Sequence, residues 1–100
     1  MLHEIIGTPA MLEQTAEECV EMAYACLKLA RHMRGENKVY KTIEEMYSNL
    51  SEEIADVSIC MSELVDAGVV LAESLDSDII AKKERMRKRI KNDLYMKGGE

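Results

Sequence analysis

The sequence contains no Phe, no Trp, four Tyr and a single Pro. Strands favour aromatic and β-branched side chains, so an interior without the large aromatic residues argues against a sheet. The apolar residues that remain are mainly Leu, Ile, Val, Ala and eight Met, which suit packed helices. The composition therefore predicts an all-α fold, and a length of 100 residues predicts a single domain, 1–100.

Long hydrophobic runs are also missing. The longest apolar stretches, such as residues 67–72, fall far short of the roughly 20 residues that cross a bilayer. The first seven residues lack the basic and long apolar regions of a secretory signal. The three Cys are odd in number and form no CxxC pair, so we interpret them as buried free thiols in a reducing cytoplasm. We expect a cytoplasmic protein without a membrane partner.

The net charge of −6 is distributed unevenly along the chain. Residues 1–80 carry five Lys or Arg and sixteen Asp or Glu, whereas residues 81–100 carry eight and three. The chain therefore has an acidic body and a basic C-terminal segment. No aromatic residues are interleaved with the basic ones, and no helix-turn-helix glycine turn precedes them, which counts against nucleic-acid binding.

The first long helix is predicted to begin at Thr8-Pro9, because Thr8 can cap it and Pro9 suits the first helical position. It should end near Arg34, where Gly35 can adopt the left-handed cap conformation. The polar residues 35–41 are interpreted as a connection. Apolar residues repeat at alternating spacings of four and three along this helix, and they predict one packed seam: Leu12, Ala16, Cys19, Ala23, Cys26, Ala30 and Met33.

A second long helix is predicted from Thr42, where Glu45 completes a capping-box pattern, to about Gly68. Residues 69–75 fit either a helical extension or a turn. A third helix is expected from about Asp76. The predicted seams are Leu50, Ile54, Val57, Met61 and Leu64 in the second helix, and Met86, Ile90 and Leu94 in the third. A core of this size is marginal alone, so we expect a helical homo-oligomer.

Paired carboxylates stand beside the apolar seams of both long helices. Glu18 with Glu21, and Glu53 with Asp56, are three residues apart and therefore neighbours on a helix surface. If the helices pack antiparallel, the four carboxylates can converge, which their mutual repulsion opposes unless a cation binds them. Mg²⁺, or alternatively Mn²⁺, prefers such oxygen ligands. The competing interpretation is a solvated acidic face, which is the usual meaning of a lone acidic pair.

The sequence resembles the MazG-like all-α nucleoside triphosphate pyrophosphohydrolases at these positions. The residues concerned are Glu17-Glu18-Cys19-Val20-Glu21, similar to an EExxE signature, and Glu53-Ile54-Ala55-Asp56, similar to an ExxD signature. The surrounding residues 16–31 and 49–57 are also similar, and the resemblance covers about residues 10–92. It implies an antiparallel helical hairpin with a third helix, built into a four-helix bundle that is completed by oligomerisation as a homodimer or homotetramer.

The resemblance further implies a Mg²⁺-dependent hydrolase that cleaves (d)NTP to (d)NMP and pyrophosphate, as in the removal of non-standard nucleotides. By position, the expected metal ligands are Glu18, Glu21, Glu53 and Asp56. Glu17 matches the leading acid of the motif, whose expected role is to hold an outer ligand, a second metal or the attacking water. We therefore expect Glu17 and Glu18 to be the catalytic carboxylates.

The polyphosphate requires cations. Lys28 lies seven residues after Glu21 on the same helical face and is the first candidate, while Arg31 is less well aligned. The remaining substrate-binding candidates rest on the resemblance: Asn49, Lys82, Lys83, Arg85 and Arg89. Many relatives have an Asn within the basic pattern, where this chain has Met86 and Arg87. The competing interpretation of the basic helix is a solvated face that complements the acidic body.

The sequence is also compatible with two other functions. One is a non-enzymatic helical interaction module, whose seams pair with a partner and whose basic helix binds an acidic protein or nucleic acid. The other is hydrolysis of dUTP or phosphoribosyl-ATP on the same scaffold, although the chain lacks the His expected for the latter after the ExxD motif. His3 and His32 stand apart from the motifs, and we interpret both as surface residues.

Overall fold

The computed structural model describes residues 1–36 and 41–98, and within these ranges all regular structure is helical. The helices are α1 (Leu2–Ile6), α2 (Thr8–Met33), α3 (Ile43–Asp66) and α4 (Ala72–Gly98). The prediction of an all-α fold is confirmed. The predicted connection at 35–41 includes residues 37–40, which lie outside the described residues.

The chain divides into two compact units, Met1–Val69 and Val70–Glu100. The first unit contains α1, α2 and α3, which pack against one another. The second contains α4, which begins four residues before the predicted Asp76.

The short helix α1 was not predicted, and it changes the start of α2. Gly7 has a φ of +87° and lies between the two helices. The Gly7 carbonyl accepts the N–H of Met11 at 3.0 Å, so Gly7 is the N-cap of α2. The prediction that Thr8 caps this helix is therefore wrong, because the chain already turns at Gly7, where a positive φ is tolerated. Pro9 still lies in the first turn, as expected.

The ends of α2 and α3 share one hydrogen-bonding pattern around a glycine. Gly35 (φ +72°) follows α2, and Gly68 (φ +77°) follows α3. At the end of α2, the N–H of Glu36 donates to the carbonyl oxygen of Arg31 at 2.9 Å, and the N–H of Gly35 donates to the carbonyl oxygen of His32 at 3.0 Å. These bonds form a Schellman motif, and Gly68 and Val69 form a second one after α3. The predicted helix ends are confirmed.

The helices α2 and α3 form an antiparallel hairpin. Glu18 lies beside Asp56, whereas Lys28, ten residues later, shares a pocket with Asn49, seven residues earlier. At the start of α3, the Thr42 hydroxyl accepts the N–H of Glu45 at 3.1 Å, as the capping-box pattern predicts. The buried apolar side chains of the unit are Met11, Ala25 and Leu29 from α2 with Met46, Val57, Cys60 and Leu64 from α3.

The predicted seam of α2 is wrong by one residue. The side chains that face α3 begin with the fully buried Met11 and continue through Glu18, Met22, Ala25 and Leu29, all of them buried or half-buried. This row precedes the predicted seam by one position along the helix. In α3 the prediction is partly right, because Val57 and Leu64 are buried and Leu50 is half-buried. Ile54 and Met61 are exposed instead.

The hairpin therefore has a second apolar row, which we call the outer stripe: Leu12, Val20 and Leu27 on α2 with Ile54 and Met61 on α3. These side chains are 44–68% exposed. Leu12 on α2, and Ile54 and Met61 on α3, are displaced by roughly 100° from the core-facing rows, toward higher residue numbers. Val20 and Leu27 are displaced by roughly 200° and therefore lie on the side of α2 that faces away from α3. Because the helices are antiparallel, Leu12, Ile54 and Met61 fall on one side of the hairpin, and Val20 and Leu27 extend the stripe around α2. The surface of this unit thus carries exposed apolar side chains on both long helices.

Glu63 attaches α1 to the hairpin. The residue is 6% exposed, and its carboxylate accepts the N–H of Leu2 at 2.8 Å and that of His3 at 3.2 Å. The ring Nδ1 of His3 lies 2.5 Å from the same carboxylate. These bonds, the His3 ring first, lower the pKa of Glu63 to about 2. The interpretation of His3 as an isolated surface residue is wrong, and His32 is also half-buried.

The second unit presents basic side chains along α4. One ion pair is built into it, since Arg87 donates to Glu84 at 2.8 Å. This pairing lowers the pKa of Glu84. A single helix cannot bury its own apolar stripe, and Met86, Ile90 and Leu94 are 59–65% exposed. Across the described residues, neither this helix nor any other is apolar enough over a sufficient length to cross a membrane.

Candidate metal centre

Three carboxylates meet where the ExxE and ExxD motifs face each other across the hairpin. Glu18 of α2 and Glu53 and Asp56 of α3 each bring one oxygen to within 4.8 Å of the other two. We call these residues the carboxylate cluster. The spacing of three residues within α3 places Glu53 and Asp56 on adjoining positions of one face, and the antiparallel packing brings Glu18 opposite them. The predicted convergence thus holds for three of the four carboxylates.

Two oxygens of the cluster are buried without a hydrogen-bond partner. Glu18 Oε1 accepts a hydrogen bond from the Gln14 side-chain amide at 2.8 Å, but Glu18 Oε2 has no donor. Glu53 Oε2 is likewise unpartnered. Buried polar atoms without a partner are uncommon in folded proteins because their desolvation is uncompensated. A ligand that accepts electron pairs from these oxygens would remove the deficit.

The electrostatic environment of Glu18 points the same way. Burial raises the pKa of Glu18, and the neighbouring Glu21 and Asp56 raise it further, while the hydrogen bond from Gln14 opposes them. The ionised carboxylates of the cluster and Glu21 therefore repel one another. A cation bound among these oxygens would offset that repulsion.

The donor set fits a hard divalent ion. All three side chains offer carboxylate oxygens, which suit Mg²⁺ and Mn²⁺ better than the softer metals that select thiolate or imidazole ligands. Cys60 is the nearest thiol to the cluster along α3, and burial raises the pKa of the Cys60 thiol, which disfavours the thiolate needed for metal binding. The residues present thus match the ion implied by the sequence.

The other predicted acidic residues lie beside the cluster. Glu21 is exposed on α2 and contributes no oxygen to the three-residue group, although its charge acts on Glu18. Glu17 is also exposed, one position before Glu18. Both carboxylates remain on the helix that borders the cluster.

Two of the predicted substrate-binding residues come together farther along the hairpin. Lys28 and Asn49 line a small pocket with Lys41, a cation that the sequence reasoning missed. The Lys28 ammonium also lies over the Tyr24 ring, 5.0 Å from its centroid. Lys28 is seven residues from Glu21, which corresponds to about 10 Å along the helix axis. Arg31 is exposed one turn beyond Lys28.

The remaining predicted cations belong to the second unit. Lys82 and Arg89 line one shallow surface depression with Arg85 and Met86, and Lys83 lines an adjoining one with Lys82. All of these side chains are exposed on α4. The helix therefore presents a concentrated positive surface.

A groove of about 320 Å³ adjoins the carboxylate cluster. Gln14, Glu18 and Asp56 form its polar end. The rest is lined by Leu2 and Ile6 from α1 and by Ile59 and Cys60 from α3. The groove was not predicted because its wall is α1. The signal for Gln14 was available in the sequence, since Gln14 lies four residues before Glu18 and hence on the same face.

Comparison with known proteins supplies no assignment for this geometry: the chain matches no protein-family model, no curated protein and no solved structure.

Proposed function

We propose that the chain is a Mg²⁺-dependent nucleoside triphosphate pyrophosphohydrolase of the MazG-like kind, cleaving (d)NTP to (d)NMP and pyrophosphate. The observation that carries the proposal is the carboxylate cluster with its two buried, unpartnered oxygens. A solvated acidic face would leave those oxygens in water. Their burial between two helices, at the positions of the ExxE and ExxD motifs, supports a metal-binding role instead.

In this proposal Glu18, Glu53 and Asp56 hold the ion, and Glu21 joins them from the same face of α2. Mg²⁺, or Mn²⁺ in its place, would supply positive charge that neutralises phosphate oxygens and acidifies water near them. Gln14 orients Glu18 through its amide hydrogen bond. Glu17, exposed on the same helix, accepts the proton of the attacking water as general base.

Cations of the chain are proposed to neutralise the charge of the polyphosphate. Lys28 and Asn49 are proposed to contact the substrate from one side of the hairpin, together with Lys41, and Arg31 extends this surface. On α4 the proposed phosphate ligands are Lys82, Lys83 and Arg89. Lys82 and Arg89 are seven residues apart and thus two turns apart on one face of the helix.

We further propose that the outer stripe is covered by a second copy of the chain, giving a homodimer or homotetramer. Two hairpins joined through such a face form a four-helix bundle, in which each long helix buries both of its apolar rows. This arrangement accounts for the two rows of α2, of which only one faces α3.

The direct test is pyrophosphate release from a panel of nucleoside triphosphates that includes dUTP, with Mg²⁺ and with Mn²⁺. Glu18→Gln and Asp56→Asn should each lower kcat/KM by more than about a hundredfold, because losing a direct ligand should exceed the 10–100-fold effect typical of outer-shell partners. Glu52→Gln, which removes the same charge at an exposed position of α3, is the matched control and should stay within about twofold of wild type.

Full activity in both cluster variants would contradict the assigned metal site. The absence of any Mg²⁺-dependent pyrophosphate release would favour the interaction module instead, for which the basic surface of α4 is the supporting observation. That module predicts salt-sensitive binding of an acidic partner or nucleic acid through Lys82, Lys83 and Arg89.

A further inference from the structure

The groove next to the carboxylate cluster has two chemically different ends. Its polar end contains Glu18 and Asp56, two of the proposed metal ligands. Apart from these two residues and Gln14, the lining residues are apolar and uncharged. A volume of about 320 Å³ is at the small end of the range of about 300–1,000 Å³ common for small-molecule sites.

The apolar end depends on α1, a helix of five residues that is too short to be stable by itself. Leu2 and Ile6, at its two ends, form the α1 wall of the groove, which Ile59 of α3 also lines. The helix is held in place by the Glu63 carboxylate, which accepts the first two N–H groups of α1 and contacts the His3 ring. Since Glu63 is buried at the hairpin, its side chain ties the start of the wall to α3, while the packing of α1 on α2 supports the rest.

We propose that this groove binds the nucleoside part of the substrate, and that Glu63 is the positioning residue that holds α1 as its wall. The inference rests on the proposed function, because it takes the phosphates to lie at the carboxylate cluster. The apolar residues line the same groove as Glu18 and Asp56, so they adjoin the proposed position of the phosphates. The base and sugar are the parts of the substrate that gain from apolar contact. The groove then selects by shape and apolar contact, since its apolar end offers no charge.

The test measures binding of two probes by isothermal titration calorimetry in the presence of Mg²⁺. The first probe is a set of α,β-methylene analogues of the common deoxynucleoside triphosphates, which resist cleavage and retain the nucleoside. The second is inorganic triphosphate, which has no nucleoside. The ratio of the two affinities isolates the contribution of the groove from that of the metal and phosphate contacts.

Ile6→Ala should weaken the tightest-binding analogue by about fivefold, the effect of losing one to two buried methylene groups, and inorganic triphosphate by less than twofold. Ile59→Ala should act in the same direction. Ile5→Ala is the matched control, because Ile5 lies on α1, is 81% exposed and does not line the groove. It should leave both affinities unchanged.

Glu63→Gln should weaken the analogue by about tenfold, and His3→Gln, which removes only the ring contact, by about threefold; both should leave inorganic triphosphate within twofold. If Glu63→Gln fails to fold, His3→Gln and Ile6→Ala still decide the proposal. An equal loss for both probes would reduce Glu63 to a structural residue and overturn its positioning role.

The two proposals fail in different ways. If the wild-type chain binds the analogues and Asp56→Asn abolishes this, but Ile6→Ala and Ile59→Ala bind them as wild type, the groove is not the nucleoside site and the proposed function stands. If neither probe binds the wild-type chain with Mg²⁺, the proposed function is overturned and this inference with it.

Discussion

Metal binding should stabilise the first unit, and the size of the effect follows from the size of that unit. An ion that binds only the folded state at one hundred times its Kd contributes about 2.7 kcal/mol to the free energy of unfolding, and at ten times its Kd about 1.4 kcal/mol. The unit spans Met1–Val69. With an unfolding entropy of about 2.1 cal/mol/K per residue, 1 kcal/mol shifts its Tm by about 7 °C.

Titration with MgCl2 or MnCl2 should therefore raise the Tm by about 10 °C at ten times Kd and by roughly 15–20 °C at one hundred times Kd. The measurement is thermal unfolding followed by far-UV circular dichroism, with NaCl at matched ionic strength as the control. Asp56→Asn should abolish the response, and because it removes like-charge repulsion it should also raise the Tm without metal. Glu52→Gln should respond to Mg²⁺ as wild type does.

The experiment is decisive because Asp56→Asn should raise the Tm without metal, yet remove the rise in Tm that Mg²⁺ causes in wild type. A structural role for Asp56 would lower the Tm in both conditions. An equal Mg²⁺ response in Asp56→Asn and wild type would refute a metal site at the cluster. A shift below about 1 °C for wild type at millimolar Mg²⁺ and Mn²⁺ would refute the stabilising role argued from the buried oxygens.

Three further predictions concern the rest of the first unit. Because the pKa of Glu63 is lowered to about 2, its contribution to stability is complete above pH 4.5 and is lost as the pH falls from about 4.5 toward 2; Glu63→Gln should remove this dependence, as urea unfolding between pH 6 and pH 3 would show. A pH profile with the same slope for both proteins would contradict it. Met11→Ala should destabilise by about 2–5 kcal/mol in the same assay, because Met11 is fully buried. A loss below 1 kcal/mol would mean that its surroundings collapse into the space. Leu27→Asp should dissociate the proposed oligomer without unfolding the hairpin, since Leu27 is 54% exposed, as sedimentation velocity and circular dichroism would report. An unchanged sedimentation coefficient would exclude the outer stripe as the interface.

The carboxylate cluster was predictable because its information is local. A spacing of three residues on a helix fixes which side chains are neighbours, and only the antiparallel packing of two helices had to be added. The same reasoning could not decide whether Glu21 joins Glu18, because Glu21 lies beside the packed face and is exposed. That choice depends on the rotation of α2 against α3.

The rotation of α2 was predicted incorrectly for a physical reason. Its buried row and the predicted seam are both largely apolar and differ by one position, as Met11 and Ala25 do from Leu12 and Cys26. Periodicity detects an apolar row but cannot rank two of them when a helix has two neighbours to satisfy. An amphipathic helix with a single apolar face would not have posed this problem.

The helix α1 could not be predicted because its stability comes from distant residues. Five residues form no stable helix alone, and the carboxylate that holds it lies about sixty positions away in the sequence. Glu63 did carry a weak signal, since an acidic residue adjacent to Leu64, on the packed side of α3, needs a partner when it is buried. The partner could not be identified without the fold.

The cysteines provide a built-in means of timing how the hairpin opens. Cys26 is exposed on α2, whereas Cys60 is buried between the helices and its thiol pKa is raised. An alkylating reagent should therefore modify Cys26 at the rate of a free thiol and Cys60 only during excursions that separate α2 from α3. In a chain whose Cys26 has been blocked beforehand, the labelling rate of Cys60 measures how often the two helices separate, and mass spectrometry reports it at single-residue resolution.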